Sequence, residues 1–222
     1  MERKPAIATA HTAPGIGIEI NKVLRNTYML LGMTLLFSAV TAGVAMALQI
    51  SHITGLVLSL VGFGLLFVVN KTADSSKGIV AIFAFTGVLG AALGPMLNHY
   101  LALANGSQLI MQALGGTALV FFALSAYVVT TRKDFSFMGG FLFVGLIVAL
   151  VAGIALMFFH APAAQMALSA GIVLLMSGMI LFDTSRIIHG GETNYIRATV
   201  SLYLDIYNLF IHLLALLGMS DD

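Results

Sequence analysis

The sequence predicts an all-α membrane protein: a bundle of seven transmembrane helices with its N terminus on the cytoplasmic side. Three observations carry that prediction. Of the 222 residues, 59% are hydrophobic and 9% charged, where an ordinary soluble domain carries about 25% charge. The 10 basic and 9 acidic residues are too few to cover a water-soluble body of this size, and the mean hydropathy of +1.03 names lipid as the solvent. Apolar segments then recur at the length of roughly 20 residues that crosses a hydrocarbon layer about 30 Å thick. Finally, every Lys and Arg falls on one side of a seven-span serpentine. The net charge of +1 excludes a strongly basic nucleic-acid binder, and the absence of cysteine excludes disulfides, Cys-ligated metals and thiol catalysis.

Taken in order, residues 1–25 read as a cytoplasmic tail and 26–219 as a single seven-helix domain. The opening MERKPAIATAHTAPGIGIEI has two prolines and weak periodicity, and it lacks the long apolar core of a signal peptide. The spans fall near residues 27–48, 53–70, 79–101, 108–130, 138–160, 163–185 and 198–217, separated by short breaks marked by Asn, Ser, His, Pro or Lys/Arg. Pro95 after Gly94 predicts a kink in the third span, because proline lacks a backbone donor and clashes with the preceding turn. The glycines inside the spans, such as Gly87, Gly90 and Gly94, read as close helix packing.

Arg3, Lys4, Lys22 and Arg25 precede the first span, Lys71 and Lys77 flank the second connection, Arg132 and Lys133 the fourth, and Arg186 and Arg197 the sixth. The positive-inside rule makes that side cytoplasmic and puts Asp221 and Asp222 on the periplasmic side. Tyr28, Tyr127 and Tyr195 fall near the inner interface and Tyr100 near the outer, where amphipathic rings belong.

Two carboxylates remain inside spans, Asp183 near the inner end of helix six and Asp205 about two turns into helix seven. An Asp in a span costs up to about 2.5 to 3.5 kcal/mol on insertion scales, so it ordinarily faces a bundle interior or a wet cavity. On helix seven, Ser201, Asp205, Asn208 and His212 follow at i, i+4, i+7 and i+11, one polar face that predicts an inward stripe. If the carboxyl groups meet, they share a proton, giving a pH-sensitive latch whose deprotonated form offers oxygen ligands to a hard cation such as Ca²⁺. The alternative pairs Asp183 with Arg186 one turn away, and Asp205 with Ser201, Asn208 or a lysine. His52, His99, His160 and His212 lie toward the outer side without the tight spacing of a metal site. No catalytic motif is present, so no enzyme and no cofactor are expected, Ca²⁺ entering only as a permeant ion.

The stretches AFTGVLGAALGPMLNHYL at 84–101, ALGGTALVFFALSAYVVTTRKDFSF at 113–137 and IIHGGETNYIRATVSLYLDIYNLF at 187–210 resemble the Bax inhibitor-1 family, a likeness running from about Lys22 to the last helix. The resemblance implies a seven-helix bundle with helix seven at its centre, in the bacterial inner membrane. It also implies that Asp183 and Asp205 form a pH-dependent pair gating a calcium leak. The arginine that engages the pair from helix two in the family has no counterpart here, and Lys71 at the inner end of that helix is the nearest base. For the bacterial branch the resemblance implies binding to the membrane-anchored AAA+ protease FtsH as a slowly degraded substrate. A tail from Met1 to about Asn21, extended at roughly 3.3 to 3.6 Å per residue, would reach about 70 Å and serve as the unfoldase's handle.

Overall fold

The computed structural model describes residues 14–159 and 161–219. In order, the elements are α1 (Pro14–Ala47), α2 (His52–Thr72), α3 (Lys77–Ala92), α4 (Gly94–Leu101), α5 (Gly106–Thr131), a 3₁₀ turn over Ser136–Met138, α6 (Gly139–Leu156), α7 (Pro162–Ile188) and α8 (Tyr195–Met219). Among the described residues there is no strand, and seven helices are long and apolar enough to cross a membrane, α3 and α4 together forming the third. Each predicted span finds its helix.

The N terminus differs from the sequence reading. Helix α1 is described from Pro14 on, so residues 14–25, which the sequence places in the tail, are helical. The rest of the tail, residues 1–13, lies outside the described residues, as do His160, Asp221 and Asp222.

The break at the third span falls at Leu93, whose N–H turns back to the Gly90 carbonyl at 3.0 Å, and Pro95 sits in the first turn of α4. Helix α1 crosses there with almost no clearance. A Cβ at Gly90 would stand 2.3 Å from the Ser38 carbonyl oxygen, and one at Gly94 2.7 Å from Ala45 Cβ, so only glycine admits the two backbones. Asn98 pins the crossing by donating to the Met46 carbonyl at 3.0 Å.

Helix α3 packs on α1 and α2; α8 packs on α7, α5 and α1; and α6 leans on α7. The core gathers Leu31, Ile82, Phe85, Ile180, Leu202 and Tyr203 from α1, α3, α7 and α8. A second cluster near the far end is built on Leu97, Leu109, Phe210 and Leu214. Outward faces are mostly apolar, as on α6, where Phe141, Val148 and Val151 lie exposed. These are the surfaces a hydrocarbon solvent requires.

The basic end is bonded together. Asn194, between α7 and α8, donates to Asp74 at 2.8 Å and to the Ala73 carbonyl at 2.9 Å, and Arg197 forms an ion pair with Asp74. Ser185 accepts the Phe135 N–H at 2.9 Å, and His189 Nε2 lies 3.1 Å from the Arg132 carbonyl oxygen. The three connections that carry Lys and Arg thus meet at one end of the bundle.

Candidate functional site

Helix α7 must stop just after Asp183 for the chain to return alongside it. It does so at Ile188, where Gly190 takes φ +75 and the Gly191 N–H reaches the Arg186 carbonyl at 2.8 Å, the left-handed stop that glycine alone adopts freely. Asn194 restarts the chain, its side-chain oxygen accepting the Ile196 and Arg197 N–H groups at 2.9 and 3.2 Å as the cap of α8. The two helices then pack along their length, and Asp183 and Asp205 meet.

Both carboxylates are buried, at 5% and 4% exposure, and lie within hydrogen-bonding reach of each other. Arg186 approaches Asp183 at 3.6 Å and Glu192 at 3.8 Å, with its guanidinium 5.6 Å from the Phe182 ring centre. The sequence alternative, Asp183 against Arg186, and the carboxyl pair therefore coexist. One oxygen on each Asp, Oδ2, is buried with no donor. Two ionised carboxylates in contact, facing a single guanidinium, leave one charge uncompensated in a region poor in water. A proton held between them would remove that charge and give one of the two oxygens a donor. Chemically, the arrangement can hold one proton or, with the proton lost, offer carboxylate oxygens to a hard cation.

The other predicted residues divide. Ser201, Asn208 and His212 are half-buried rather than interior. Asn208 donates to the Leu204 carbonyl at 2.8 Å, and His212 Nδ1 lies 3.3 Å from Ser169 Oγ. Asn208 and His212 line a side groove of about 400 Å³ along α6 and α7. Of the polar stripe, only Asp205 enters the core, because α6 packs on α7 and leaves that flank of α8 uncovered. Lys71 is exposed and, among the described residues, forms no ion pair with either Asp; the base at the pair is Arg186. No group of three or more His, Asp or Glu side chains among the described residues is placed to hold a metal ion.

Sequence reasoning missed the opposite face of α8. The Tyr203 hydroxyl lies 2.8 Å from Ser38 Oγ and donates to the Thr86 carbonyl at 3.2 Å, while Tyr207 donates to the Leu89 carbonyl at 3.3 Å. Their i, i+4 spacing was the available signal. Glu192, in the connection between α7 and α8, approaches the same Arg186 at 3.8 Å.

Over residues 20–222 the chain matches the family model described as Inhibitor of apoptosis-promoting Bax1 (Bax1-I). It is 53% identical, over 96% of its own length and 97% of theirs, to the Modulator of FtsH protease YccA of Escherichia coli (strain K12) and to the Inner membrane protein YccA of Escherichia coli O6:H1. An uncharacterized membrane protein of Vibrio cholerae is 53% identical over 92% of each chain.

Proposed function

Because this chain belongs to the Bax inhibitor-1 family, we propose that it is an inner-membrane, non-catalytic regulator that binds the AAA+ protease FtsH as a slowly degraded substrate and so restrains it. The observation that carries this reading is the 53% identity, spanning 96% of the chain and 97% of the relative, to a protein named for modulating FtsH. The fold supplies a physical reason for slow degradation. Seven apolar helices must be drawn out of lipid, and α8, buried against α1, α5 and α7, is fastened by Tyr203, Tyr207 and its capping Asn194.

The reading places the basic end and the N terminus in the cytoplasm and the C terminus in the periplasm, on the positive-inside argument. Residues 1–13 then form the handle. Residues 14–21 being helical, thirteen residues would, if fully extended, reach about 45 Å at roughly 3.3 to 3.6 Å per residue, less than the sequence alone implied. Removing residues 2–13 is expected to lengthen the half-life of the chain in the presence of FtsH, measured by pulse-chase. An unchanged half-life rejects the handle.

A second reading rests on the carboxylate pair and its donorless oxygens: a proton-gated cation leak in which loss of the shared proton loosens α7 from α8 and leaves a site for Ca²⁺. Asp183→Asn and Asp205→Asn are each expected to flatten the pH dependence of Ca²⁺ flux into liposomes from about pH 6 to about pH 8. Flux that is identical in wild type and both variants rejects this reading and leaves the first intact.

A further inference from the structure

Helices α1 and α5 meet at the Tyr28 and Phe121 rings, 5.8 Å apart between centroids, and otherwise pack on α8 and α4, leaving a groove floored by α8 between them. Two adjoining cavities of about 290 and 270 Å³ fill it, meeting at Leu35, Leu114, Thr117 and Ile206. On α1 the lining runs from Tyr28 to Met46, which at about 1.5 Å per residue is about 27 Å, close to the thickness of the hydrocarbon layer. None of the lining residues is charged.

Two independent features of this groove are unexplained by the chain itself. The first is the wall of α1, where Gly32, Ala39 and Gly43 line the groove and are exposed. Glycine is a poor helix former, and at Gly90 and Gly94 close contact requires it. A Cβ at Gly32 or Gly43, by contrast, meets nothing within 4 Å. The second is Thr117, which stands where the two cavities join, is 5% exposed, and has a hydroxyl with no partner; the Tyr28 hydroxyl on the groove wall has none either. Thr86 bonds the Ile82 carbonyl at 2.9 Å and Thr131 the Tyr127 carbonyl at 2.8 Å, whereas Thr117, like Thr27 outside the groove, has no such bond.

The geometry points to a docking groove for one transmembrane helix of a membrane-embedded partner, an apolar helix with small residues toward α1 and a hydrogen-bonding group at the depth of Thr117. Backbone clearance and unpaired hydroxyls are what helix association in lipid uses. Acyl chains need no such clearance and bond no hydroxyl. An uncharged groove of membrane length matches an uncharged spanning segment. The inference rests on the proposed FtsH reading and identifies where that protease's membrane segment would bind.

The test is co-purification of full-length FtsH with the full chain from solubilised membranes. It compares wild type, the double variant Gly32→Leu/Gly43→Leu, Thr117→Val, and the control Gly171→Leu on α7, where a Cβ likewise meets nothing within 4 Å. The double variant is expected to lose at least about tenfold of the recovered protease, Thr117→Val to lose less, and the control to match wild type. The glycine variants should unfold at or above the wild-type temperature, since a Cβ at 32, 43 or 171 meets nothing within 4 Å, and Thr117→Val should keep the fold because it replaces an unbonded hydroxyl with a methyl group of the same shape. Undiminished recovery with the double variant overturns the groove while the FtsH reading stands. If wild type recovers no FtsH, that reading fails and takes the groove with it. Efficient self-cross-linking of Gly43→Cys, in a chain with no other cysteine, gives the groove to a second copy, and a phospholipid retained by wild type but lost from the double variant gives it to lipid. Either result overturns the proposal.

Discussion

At the scale of single residues, the proton proposed between Asp183 and Asp205 has the sharpest consequences. Asn in place of Asp205 offers an amide donor to Asp183 without a charge, so Asp205→Asn is expected to unfold within about 1 kcal/mol of wild type in detergent. Asp205→Leu strands a buried Asp183 oxygen and is expected to cost about 1 to 3 kcal/mol. Equal stability of the two variants would remove the case for a proton between the carboxyls. Tyr203→Phe leaves the Ser38 hydroxyl and the Thr86 carbonyl without their phenol, and a loss of about 1 kcal/mol in the same assay is expected. Asp134 lies outside the spans. The Ser136 N–H at 2.8 Å, with further help from the facing His189 and the Ser185 hydroxyl, holds its carboxyl below the ordinary value of 3.8. A depressed carboxylate stabilises the fold above the unfolded value and loses that contribution as pH falls through the folded one. The Ser136 amide resonance should therefore titrate with a midpoint below 3.8, and a midpoint at or above it would show that the bond does not form.

The elements explain why some residues were legible and others were not. Span length and apolar runs are local properties, so seven helices and the break near Pro95 could be read without knowing what packs on what. Asp183 and Asp205 stood out because a carboxylate in a span is costly wherever it points. Tyr203 and Tyr207 did not, because an aromatic residue in an apolar helix looks the same whether it bonds across the bundle or faces lipid. The stripe from Ser201 to His212 was read as wholly interior. It is only partly so, because the position of α6 is a tertiary fact that periodicity on α8 does not contain. The contact between Asp74 and Arg197 joins residues 123 apart in sequence, beyond any local signal. Two predictions belong at this scale. Gly90→Ala forces a Cβ to within 2.3 Å of the Ser38 carbonyl oxygen and is expected to cost about 1 to 3 kcal/mol in thermal unfolding, whereas Gly32→Ala, with nothing in reach, is expected to hold or raise stability. Asn194→Ala removes the cap of α8 and its tie to Asp74, for an expected loss of about 0.5 to 2 kcal/mol.

Across the whole molecule, charge and shape divide the labour. The basic residues of the described chain collect at one end, where the connections are bonded to one another, and the carboxylate pair lies within the bundle near that end, under Arg186 and Glu192. The lipid-facing surface is apolar except along the grooves beside α8. In the proposed role, the bundle would be the body that resists extraction and the α1–α5 groove the face that engages the protease within the bilayer. The proposed restraint of FtsH is tested by the rate at which the protease, reconstituted in lipid vesicles, degrades an independent membrane substrate as this full-length chain is added. The rate should fall as the chain titrates the protease, while the chain itself disappears more slowly than the substrate. A substrate half-life that stays the same across the titration would contradict the assignment.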